Sequence, residues 1–255
     1  MMLRSTFHRS VLGVLLCFAF IAPQCVGVTR EFARTYPLRP GGSFQLSNVN
    51  GTVRIEGWDR DEVEIRVVKS TPDNESLLDL VAIEIDAKLD ALSVSTHYPQ
   101  EEGVEVAVDY IIHVPRRAQL SHVNNINGAL RVISSESIGE LHTVNGNIEV
   151  YDSSGNIHAH TTNGNVYVEL KHPADSRGAF VETINGSVLL AIPADLPADL
   201  EARCMNGNFS SELPMVIKGA DRPRTVRGRL GSGGTPIYLG TVNGTVRIVA
   251  LRSTI

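Results

Sequence analysis

The sequence predicts an all-β protein, a right-handed β-solenoid of repeated coils that each contain an Asn-Gly pair. The first observation is an internal repeat, because segments 143–150 and 161–168 both read Thr-X-Asn-Gly-Asn followed by alternating apolar residues. The second is that alternation itself, which has the period of two typical of a β-strand. The third is a composition with 22 glycines and 5% aromatic residues, which favours many short β elements over a bulky globular core.

Seven copies of the repeat can be aligned on their Asn-Gly pairs. Each copy buries its apolar side only by stacking on the next copy. Since the side chains of a strand alternate between two faces, we expect the residue before each Asn, the Gly, and the apolar residues three and five positions after the Asn to face the core. The pairs are Asn50-Gly51, Asn127-Gly128, Asn145-Gly146, Asn163-Gly164, Asn185-Gly186, Asn206-Gly207 and Asn243-Gly244.

The residues of opposite parity are short, polar and uncharged, and we expect them to form the outer surface. They include Thr143 and Thr161 two positions before the Asn, and Asn147 and Asn165 two positions after it. Stacked coils would place equivalent residues about 4.8 Å apart, a spacing at which Asn side chains hydrogen-bond in ladders. The repeated Asn is therefore predicted to link neighbouring coils.

An antiparallel β meander is the alternative fold. Asn-Gly is also the strongest signal for a two-residue hairpin turn, and Gly146, Gly155 and Gly164 are spaced nine residues apart. A meander does not require the same Asn at every second turn with a Thr two residues before it, whereas a repeating coil does. The solenoid is therefore the preferred prediction.

Residues 1–27 are predicted to be a signal peptide. Arg4 and Arg9 precede an apolar run at 11–22, and small residues follow at 25–27. Twelve apolar residues are too few to span a bilayer. We therefore expect an exported protein, located in the periplasm, on the outer surface or in the medium, with no transmembrane span in the mature chain.

The remaining residues, 28–255, are predicted to form a single β-solenoid-like domain. Segment 71–115 interrupts the repeat between its first and second copies. Its pattern predicts a short helix followed by a hairpin of two strands, 82–87 and 91–97. We expect 71–115 to form a cap or flap over the N-terminal end of the solenoid, because an open strand edge invites aggregation.

The C-terminal part departs from the regular spacing seen from 120 to 168. Asn206 and Asn243 are 37 residues apart, which predicts about two coils between them. The glycine-rich stretch 228–234 is interpreted as a flexible turn, because no Lys-Ser or Lys-Thr follows it as in a phosphate-binding loop.

The tryptophan of the chain, Trp58, lies in a predicted turn at 57–61. Asp59 and Asp61 flank Arg60 in this turn, and a solvated turn explains these charges better than a metal or acid/base site. We expect Trp58 to cap one end of the core rather than to stack on a sugar.

Charge and cysteine content exclude several classes of partner and site. The formal net charge is −5, and nucleic acids and anionic membranes bind clustered Lys and Arg, so neither is an expected partner. Cys17 and Cys25 lie in the predicted signal peptide, which leaves Cys204 in the mature chain. A single Cys cannot form an internal disulfide, and no paired His is recognisable, so Cys204 is predicted to be structural.

His142 and His160 are candidate metal ligands, since the repeat would place them one above the other. The equivalent positions of other copies hold Asn124, Glu182 and Arg203, which do not repeat a ligand type. The two histidines are therefore interpreted as substitutions within the repeat. The sequence assigns no metal site, no cofactor, no catalytic residue and no binding residue.

Several stretches together resemble a known family. They are the Asn-Gly coils, Gly-Trp-Asp-Arg-Asp-Glu-Val at 57–63, Val-Pro-Arg at 114–116, Gly-Ser-Gly-Gly at 231–234 and Leu-Gly-Thr-Val-Asn-Gly at 239–244. With these stretches, the sequence from Phe44 to Val249 is similar to the bacterial putative-adhesin family of exported proteins. This resemblance implies a right-handed β-solenoid-like domain and an adhesin role, and it brings no catalytic residues. The chain departs from the family pattern at Cys204-Met205, where Thr-Val is usual.

These observations favour a non-enzymatic exported protein of the envelope or medium, acting as an adhesin or as a surface-binding or structural module. The candidate partners are a cell-surface glycan or an envelope protein. The alternative is a polysaccharide-active β-helix enzyme, which fold analogy alone supports and which requires a facing acid pair or a calcium and arginine cluster. A third hypothesis is that the Thr/Asn face matches an ordered surface such as ice or crystalline glycan.

Overall fold

The computed structural model describes residues 27–72, 74–100, 103–171, 178–219 and 224–251. The predicted signal peptide lies almost wholly outside these residues. One short helix, α1, spans Leu77–Leu80. The strands of the described residues are β1 (Val28–Pro37), β2 (Ser43–Asn50), β3 (Val53–Trp58), β4 (Glu62–Thr71), β5 (Ala82–Ala87), β6 (Ala91–His97), β7 (Ala107–Pro115), β8 (Gln119–Asn127), β9 (Leu130–Ile133), β10 (Ile138–Asn145), β11 (Ile148–Ser153), β12 (Ile157–Asn163), β13 (Val166–Leu170), β14 (Ala179–Asn185), β15 (Val188–Ile192), β16 (Ala198–Asn206), β17 (Phe209–Ser211), β18 (Val216–Gly219), β19 (Thr225–Leu230), β20 (Thr235–Asn243) and β21 (Val246–Ala250).

The strands form two sheets, and each Asn-Gly pair is a corner at which the chain passes from one sheet to the other. Sheet A has the order β1-β4-β7-β3-β9-β11-β13-β15-β21-β17, and sheet B has the order β18-β19-β16-β20-β14-β12-β10-β8-β2-β6-β5. One coil is a sheet B strand, its Asn-Gly corner and the following sheet A strand. Strands of successive coils pair in parallel, as in β10 with β12 and β11 with β13. This confirms the β-solenoid and excludes the antiparallel meander for the coils.

The spatial order of the coils differs from their order in the sequence at the C-terminal end. The final coil, β20 with β21, lies between the coil of β14 and β15 and the coil of β16 and β17. The prediction of about two coils between Asn206 and Asn243 is therefore wrong. Part of that stretch forms β18 and β19, which pair antiparallel along the edge of sheet B beside β16.

The N-terminal end of the stack is also built out of sequence order. Segment 71–115 contributes β6, which pairs in parallel with β2, and β7, which pairs in parallel with β3. Antiparallel strands then close both edges, β5 in sheet B and β4 with β1 in sheet A. The observed hairpin of β5 and β6 has the bounds predicted from the sequence.

The predicted ladder of asparagine side chains is present along the corners. In each of six contacts, the Nδ2 of one Asn donates to the Oδ1 of the Asn in the neighbouring coil at 2.7–2.9 Å. The ladder is continuous through the reordered C-terminal coils, because Asn243 donates to Asn185 and Asn206 donates to Asn243. The repeated Asn thus links neighbouring coils, as its spacing predicts.

The predicted facing of the residues before the Asn is wrong. Thr143 and Thr161 are fully buried, whereas Ile126 and Ile184, each directly before an Asn, are 45% and 38% exposed. The alternation does continue after the corner, where Ile148 and its equivalents in five other coils are buried and Phe209 of β17 is partly buried. The corner itself shifts the pattern by one position, because the chain turns from one sheet to the other between the two strands.

The buried Thr satisfies a backbone group that the corner would leave unpaired. Thr161 Oγ1 donates to the carbonyl of Gly146 in the preceding coil at 2.9 Å, and Thr183 does the same to Gly164 at 2.8 Å. Asn125 replaces Thr in an earlier coil and donates its Nδ2 to the Gly51 carbonyl at 2.9 Å. A buried carbonyl without a partner is costly, so the column of Thr and Asn residues stabilises the stack.

The Gly of each corner permits close approach of two coils. A Cβ built on Gly164 would lie 2.0 Å from the carbonyl oxygen of Gly146, a distance that no side chain tolerates.

The inner faces of both sheets form one hydrophobic core, which runs from Phe44 near one end to Ile248 near the other. No helix among the described residues is long and apolar enough to cross a membrane.

Candidate functional site

The outer face of sheet B carries two columns of side chains in register. The outer column lies five positions before the Asn and the inner column lies three positions before it. Parallel pairing aligns each member with its neighbours in adjacent coils. In stacking order, the outer column is Gln45, His122, Glu140, His158, Phe180, Tyr238 and Glu201, and the inner column is Ser47, Asn124, His142, His160, Glu182, Gly240 and Arg203.

Three rings of the outer column stack on one another. The ring centroids of His158 and Phe180 are 5.8 Å apart with an interplanar angle of 27°, and those of Phe180 and Tyr238 are 4.6 Å apart at 10°. Phe180 remains 38% exposed. An aromatic stack of this kind supplies exposed apolar area for contact with a ligand.

A groove of about 500 Å³ runs beside this stack. Phe180, Tyr238 and Pro236 line it from β14 and β20. Charged residues of β16 and β19 form one rim, where Arg229 Nε lies 3.1 Å from Asp199 Oδ1 and Arg227 Nε lies 3.2 Å from Glu201 Oε2. The groove thus combines an aromatic and apolar floor with a charged rim, which is the usual composition of a small-ligand site.

The inner column brings His142 and His160 together, as the repeat predicts. Their ring centroids are 5.5 Å apart, and the ring planes are nearly parallel, with an interplanar angle of 3°. Burial lowers the pKa of His142, and the nearby His160 lowers it further, while Glu140 opposes this shift. No cluster of three or more His, Cys, Asp or Glu side chains with the arrangement of a metal site occurs among the described residues.

The missing side chain at Gly240 leaves room for the contact between Tyr238 of the outer column and Glu182 of the inner column. A Cβ on Gly240 would lie 3.0 Å from Glu182 Oε1. Burial raises the pKa of Tyr238, and the hydrogen bond to Glu182 raises it further, while Arg203 opposes both. The phenol of Tyr238 therefore stays protonated and is held at the edge of the groove by Glu182.

A known protein family matches this chain over most of its length. A model of the family described as Toastrack DUF4097 matches residues 42–249, a span that contains all seven Asn-Gly pairs. The chain belongs to the Toastrack DUF4097 family. The resemblance inferred from the sequence is thereby confirmed, and no curated protein matches the chain.

Solved structures similar to this Toastrack chain come from several bacteria. A "putative cell adhesion protein" from Clostridium sporogenes is 12% identical, with a TM-score of 0.48 and coverage of 87% of this chain and 100% of that one. A "putative adhesin" from Bacteroides fragilis is 12% identical, with a TM-score of 0.38 and coverage of 87% and 97%. A "putative lipid binding protein" from Parabacteroides distasonis is 12% identical, with a TM-score of 0.33 and the same coverages.

Cys204 and Trp58 of the Toastrack chain occupy structural positions. Cys204 is buried, its thiol lies 3.6 Å from the carbonyl of Asn208, and burial raises the pKa of the thiol. Trp58, predicted to lie in a turn, is instead the last residue of β3 and is partly buried. Its ring stacks on His113 with centroids 5.1 Å apart, and its Nε1 donates to the Glu62 carbonyl at 2.8 Å.

The groove residues were missed in the sequence because the stacking order was not known. Phe180 and Tyr238 are 58 residues apart, and they meet only because the final coil inserts beside β14. The signal that could have found them is their shared position, five residues before Asn185 and Asn243. Aligning the seven copies at that position shows ring side chains in four of them, His122, His158, Phe180 and Tyr238.

Proposed function

We propose that this Toastrack chain is a non-enzymatic binding module of the cell envelope, and that its sheet B groove receives a saccharide of a surface glycan. The observation that carries the proposal is the groove itself. It places the stacked rings of Phe180 and Tyr238 next to the ion pairs of Asp199 with Arg229 and of Glu201 with Arg227.

The chemistry of a sugar matches these two parts of the groove. A pyranose presents apolar C–H groups together with hydroxyl groups that both donate and accept hydrogen bonds. Aromatic rings bury the C–H groups, and paired carboxylates and guanidinium groups supply planar acceptors and donors. The volume of about 500 Å³ lies within the range of small-ligand sites, roughly 300–1,000 Å³.

Binding rather than catalysis is supported by the contacts that the carboxylates on this face make. Each of them has a basic partner: His122 Nδ1 lies 2.9 Å from Glu140 Oε2, His160 Nδ1 lies 3.9 Å from Glu182 Oε2, and Arg227 pairs with Glu201. The two carboxyl groups of a glycoside hydrolase flank the scissile bond and act on it directly, whereas these carboxylates are engaged by basic side chains of the same face. These contacts favour recognition of a glycan over its cleavage.

Export of the chain is part of the same proposal. The leader 1–27 carries Arg4, Arg9 and the apolar run 11–22, which is the pattern of a cleaved signal. Fractionation of cells that express the full chain tests this part. Recovery of a protein shortened by the leader from the periplasm, surface or medium is expected, and a full-length product in the cytoplasm would contradict it.

The binding experiment compares two aromatic pairs on opposite faces. The mature chain is applied to an array of bacterial surface glycans, and the affinity for each hit is measured by calorimetry. Phe180→Ala is expected to weaken binding by up to about tenfold, the size of one aromatic contact. Tyr167→Ala is the matched control, because the ring of Tyr167 packs against that of Tyr151, with centroids 5.0 Å apart, on the outer face of sheet A.

Three outcomes would overturn the glycan assignment. One is the absence of any glycan hit. Another is equal weakening by Phe180→Ala and Tyr167→Ala. The third is capture of an envelope protein through the groove, with loss of that capture in Phe180→Ala, which would identify a protein as the ligand.

A further inference from the structure

The Asn-Gly corners differ in how the amide of the Gly is used. In six of the seven corners, this amide donates to the carbonyl of the Asn in the next coil of the stack. The distances are 2.9–3.2 Å. The donors and acceptors are Gly51 to Asn127, Gly128 to Asn145, Gly146 to Asn163, Gly164 to Asn185, Gly186 to Asn243 and Gly244 to Asn206.

The seventh corner, Asn206-Gly207, belongs to the last coil of the stack. No acceptor for the amide of Gly207 is found among the residues that the structure describes, because no further coil lies beyond β16 and β17 at this corner. Asn206 and Gly207 are both exposed, whereas the six other corner glycines are partly buried. The side chain of Asn206 is held at one end only, by its Nδ2 contact with Asn243 Oδ1 at 2.9 Å.

This arrangement decides where deamidation, a known reaction of Asn-Gly pairs, can occur. The backbone nitrogen of the Gly attacks Cγ of the preceding Asn, a C–N bond forms, and the side-chain amide leaves as ammonia. Water then opens the cyclic imide to aspartate or isoaspartate. A Gly amide that donates to a neighbouring coil is unavailable as a nucleophile, and an Asn held at both Nδ2 and Oδ1 cannot rotate to present Cγ.

We propose that Asn206 is the deamidation site of the folded chain and that the stack protects the other six Asn-Gly pairs. The product places a carboxylate where Nδ2 donated to Asn243 Oδ1, so that two acceptors face each other. An isoaspartate also lengthens the backbone at a corner where a Cβ on Gly207 would lie 1.6 Å from the Gly244 carbonyl. Both changes weaken the attachment of the last coil.

The consequence extends to the groove, because β16 of the last coil carries Asp199 and Glu201 on its rim. Deamidation of Asn206 therefore loosens one wall of the groove as the protein ages. This consequence does not depend on the identity of the groove ligand. The modification itself is defined by the corner and is independent of any binding function.

The test measures the rate of amide loss at each of the seven corners. The full chain is incubated folded in mildly alkaline buffer and, in parallel, unfolded in concentrated urea, and timed samples are mapped by peptide mass spectrometry. In the folded chain, Asn206 is expected to react at least about tenfold faster than any other corner, since one protecting backbone hydrogen bond contributes about that factor. In urea, this preference is expected to disappear.

Two further measurements make the outcome decisive. Asn206→Gln, which forms the cyclic imide poorly, is expected to leave the folded chain almost unreactive. Hydrogen exchange at β16 and β17 is expected to accelerate in the aged wild-type chain but not in aged Asn206→Gln. Equal folded rates at Asn206 and an interior corner, absence of reaction at Asn206, or the same site preference in urea would each overturn the assignment.

Discussion

The interior coils keep the residues of the repeat more strictly than the last coil does. In the coil of β12 and β13, Thr161, Asn163 and Gly164 each contact a neighbouring coil. In the last coil, Cys204 stands at the Thr position, and β17 is reduced to three residues, Phe209–Ser211. The repeat residues are therefore contacts between coils, and the pattern relaxes where one neighbour is missing.

The comparison also separates two columns that look alike in sequence. The residue two positions before the Asn faces the core and is a polar Thr or Asn in six coils, whereas the residue one position before it faces outward and is mostly apolar. Hydrophobicity alone assigns these columns to the wrong faces. The requirement of the corner carbonyl for a donor explains why the buried column is polar.

The largest expected effect is the loss of close approach between interior coils. Gly164→Ala places a Cβ 2.0 Å from the Gly146 carbonyl, and neither coil can move because each is held by neighbours on both sides. We expect a loss of about 3 kcal/mol or more in the free energy of unfolding, measured by urea denaturation.

Gly207→Ala and Gly41→Ala show whether position in the stack decides this effect. The Cβ on Gly207 meets the Gly244 carbonyl at 1.6 Å, but the last coil can move away, so a smaller loss is expected. Gly41 has open space around it and a φ of +81°, so its substitution costs only the backbone strain of about 1–2 kcal/mol. Equal losses at Gly164 and Gly207 would contradict the difference between interior and last coils.

The second prediction concerns the buried hydroxyl. Thr161→Val removes the bond from Oγ1 to the Gly146 carbonyl and leaves that carbonyl without the hydroxyl donor. We expect destabilisation of about 1–2 kcal/mol in urea denaturation. The adjacent Thr162→Val is the matched control, since Thr162 is only partly buried and Val144 and Val242 occupy its position in other coils. A change within about 0.5 kcal/mol is expected there. A larger loss from Thr162→Val than from Thr161→Val would show that the column of Thr162, and not that of Thr161, faces the core.

Much of the fold follows from the sequence, because the Asn-Gly spacing and the alternation after the corner are local patterns. The spacing predicted parallel coils and the Asn ladder. The alternation failed before the corner, since the turn shifts the facing of Thr143 and Val144 by one position. No local pattern could place β20 and β21 inside the stack, because this order depends on which coil the final segment pairs with.

The candidate site depended on that same long-range pairing. His142 and His160 come from consecutive coils, so their contact was predictable. Phe180 and Tyr238 come from coils that are adjacent only through the insertion. The rim residue Arg227 comes from an antiparallel strand in a stretch expected to contain coils. The groove therefore became visible only with the strand order.

The third prediction restores the repeat in the last coil. Cys204→Thr introduces a hydroxyl at the position where the equivalent Thr241 donates to the Gly186 carbonyl at 2.8 Å. For the last coil, the equivalent acceptor is the Gly244 carbonyl in the neighbouring coil of β20 and β21. We expect stabilisation of about 1 kcal/mol in urea denaturation. Cys204→Val keeps the size but lacks the donor and should not stabilise the chain. If both variants behave alike, the Thr position acts through packing and the hydroxyl is irrelevant in this coil.

The smallest expected effect is a pH dependence of the interior coils. Burial and the nearby His160 lower the pKa of His142 below its ordinary value of 6.5. The unfolded chain then binds a proton at His142 more readily than the folded chain, so stability falls as the pH decreases through 6.5 and is fully present above it. His142→Asn introduces the residue found at this position in β8, where Asn124 pairs in register with His142. In urea denaturation across this pH range, the variant should lose less stability than the wild type on the acidic side. A larger acid loss in the variant would show that protonated His142 stabilises the stack, through Glu140, more than its burial disfavours the charge.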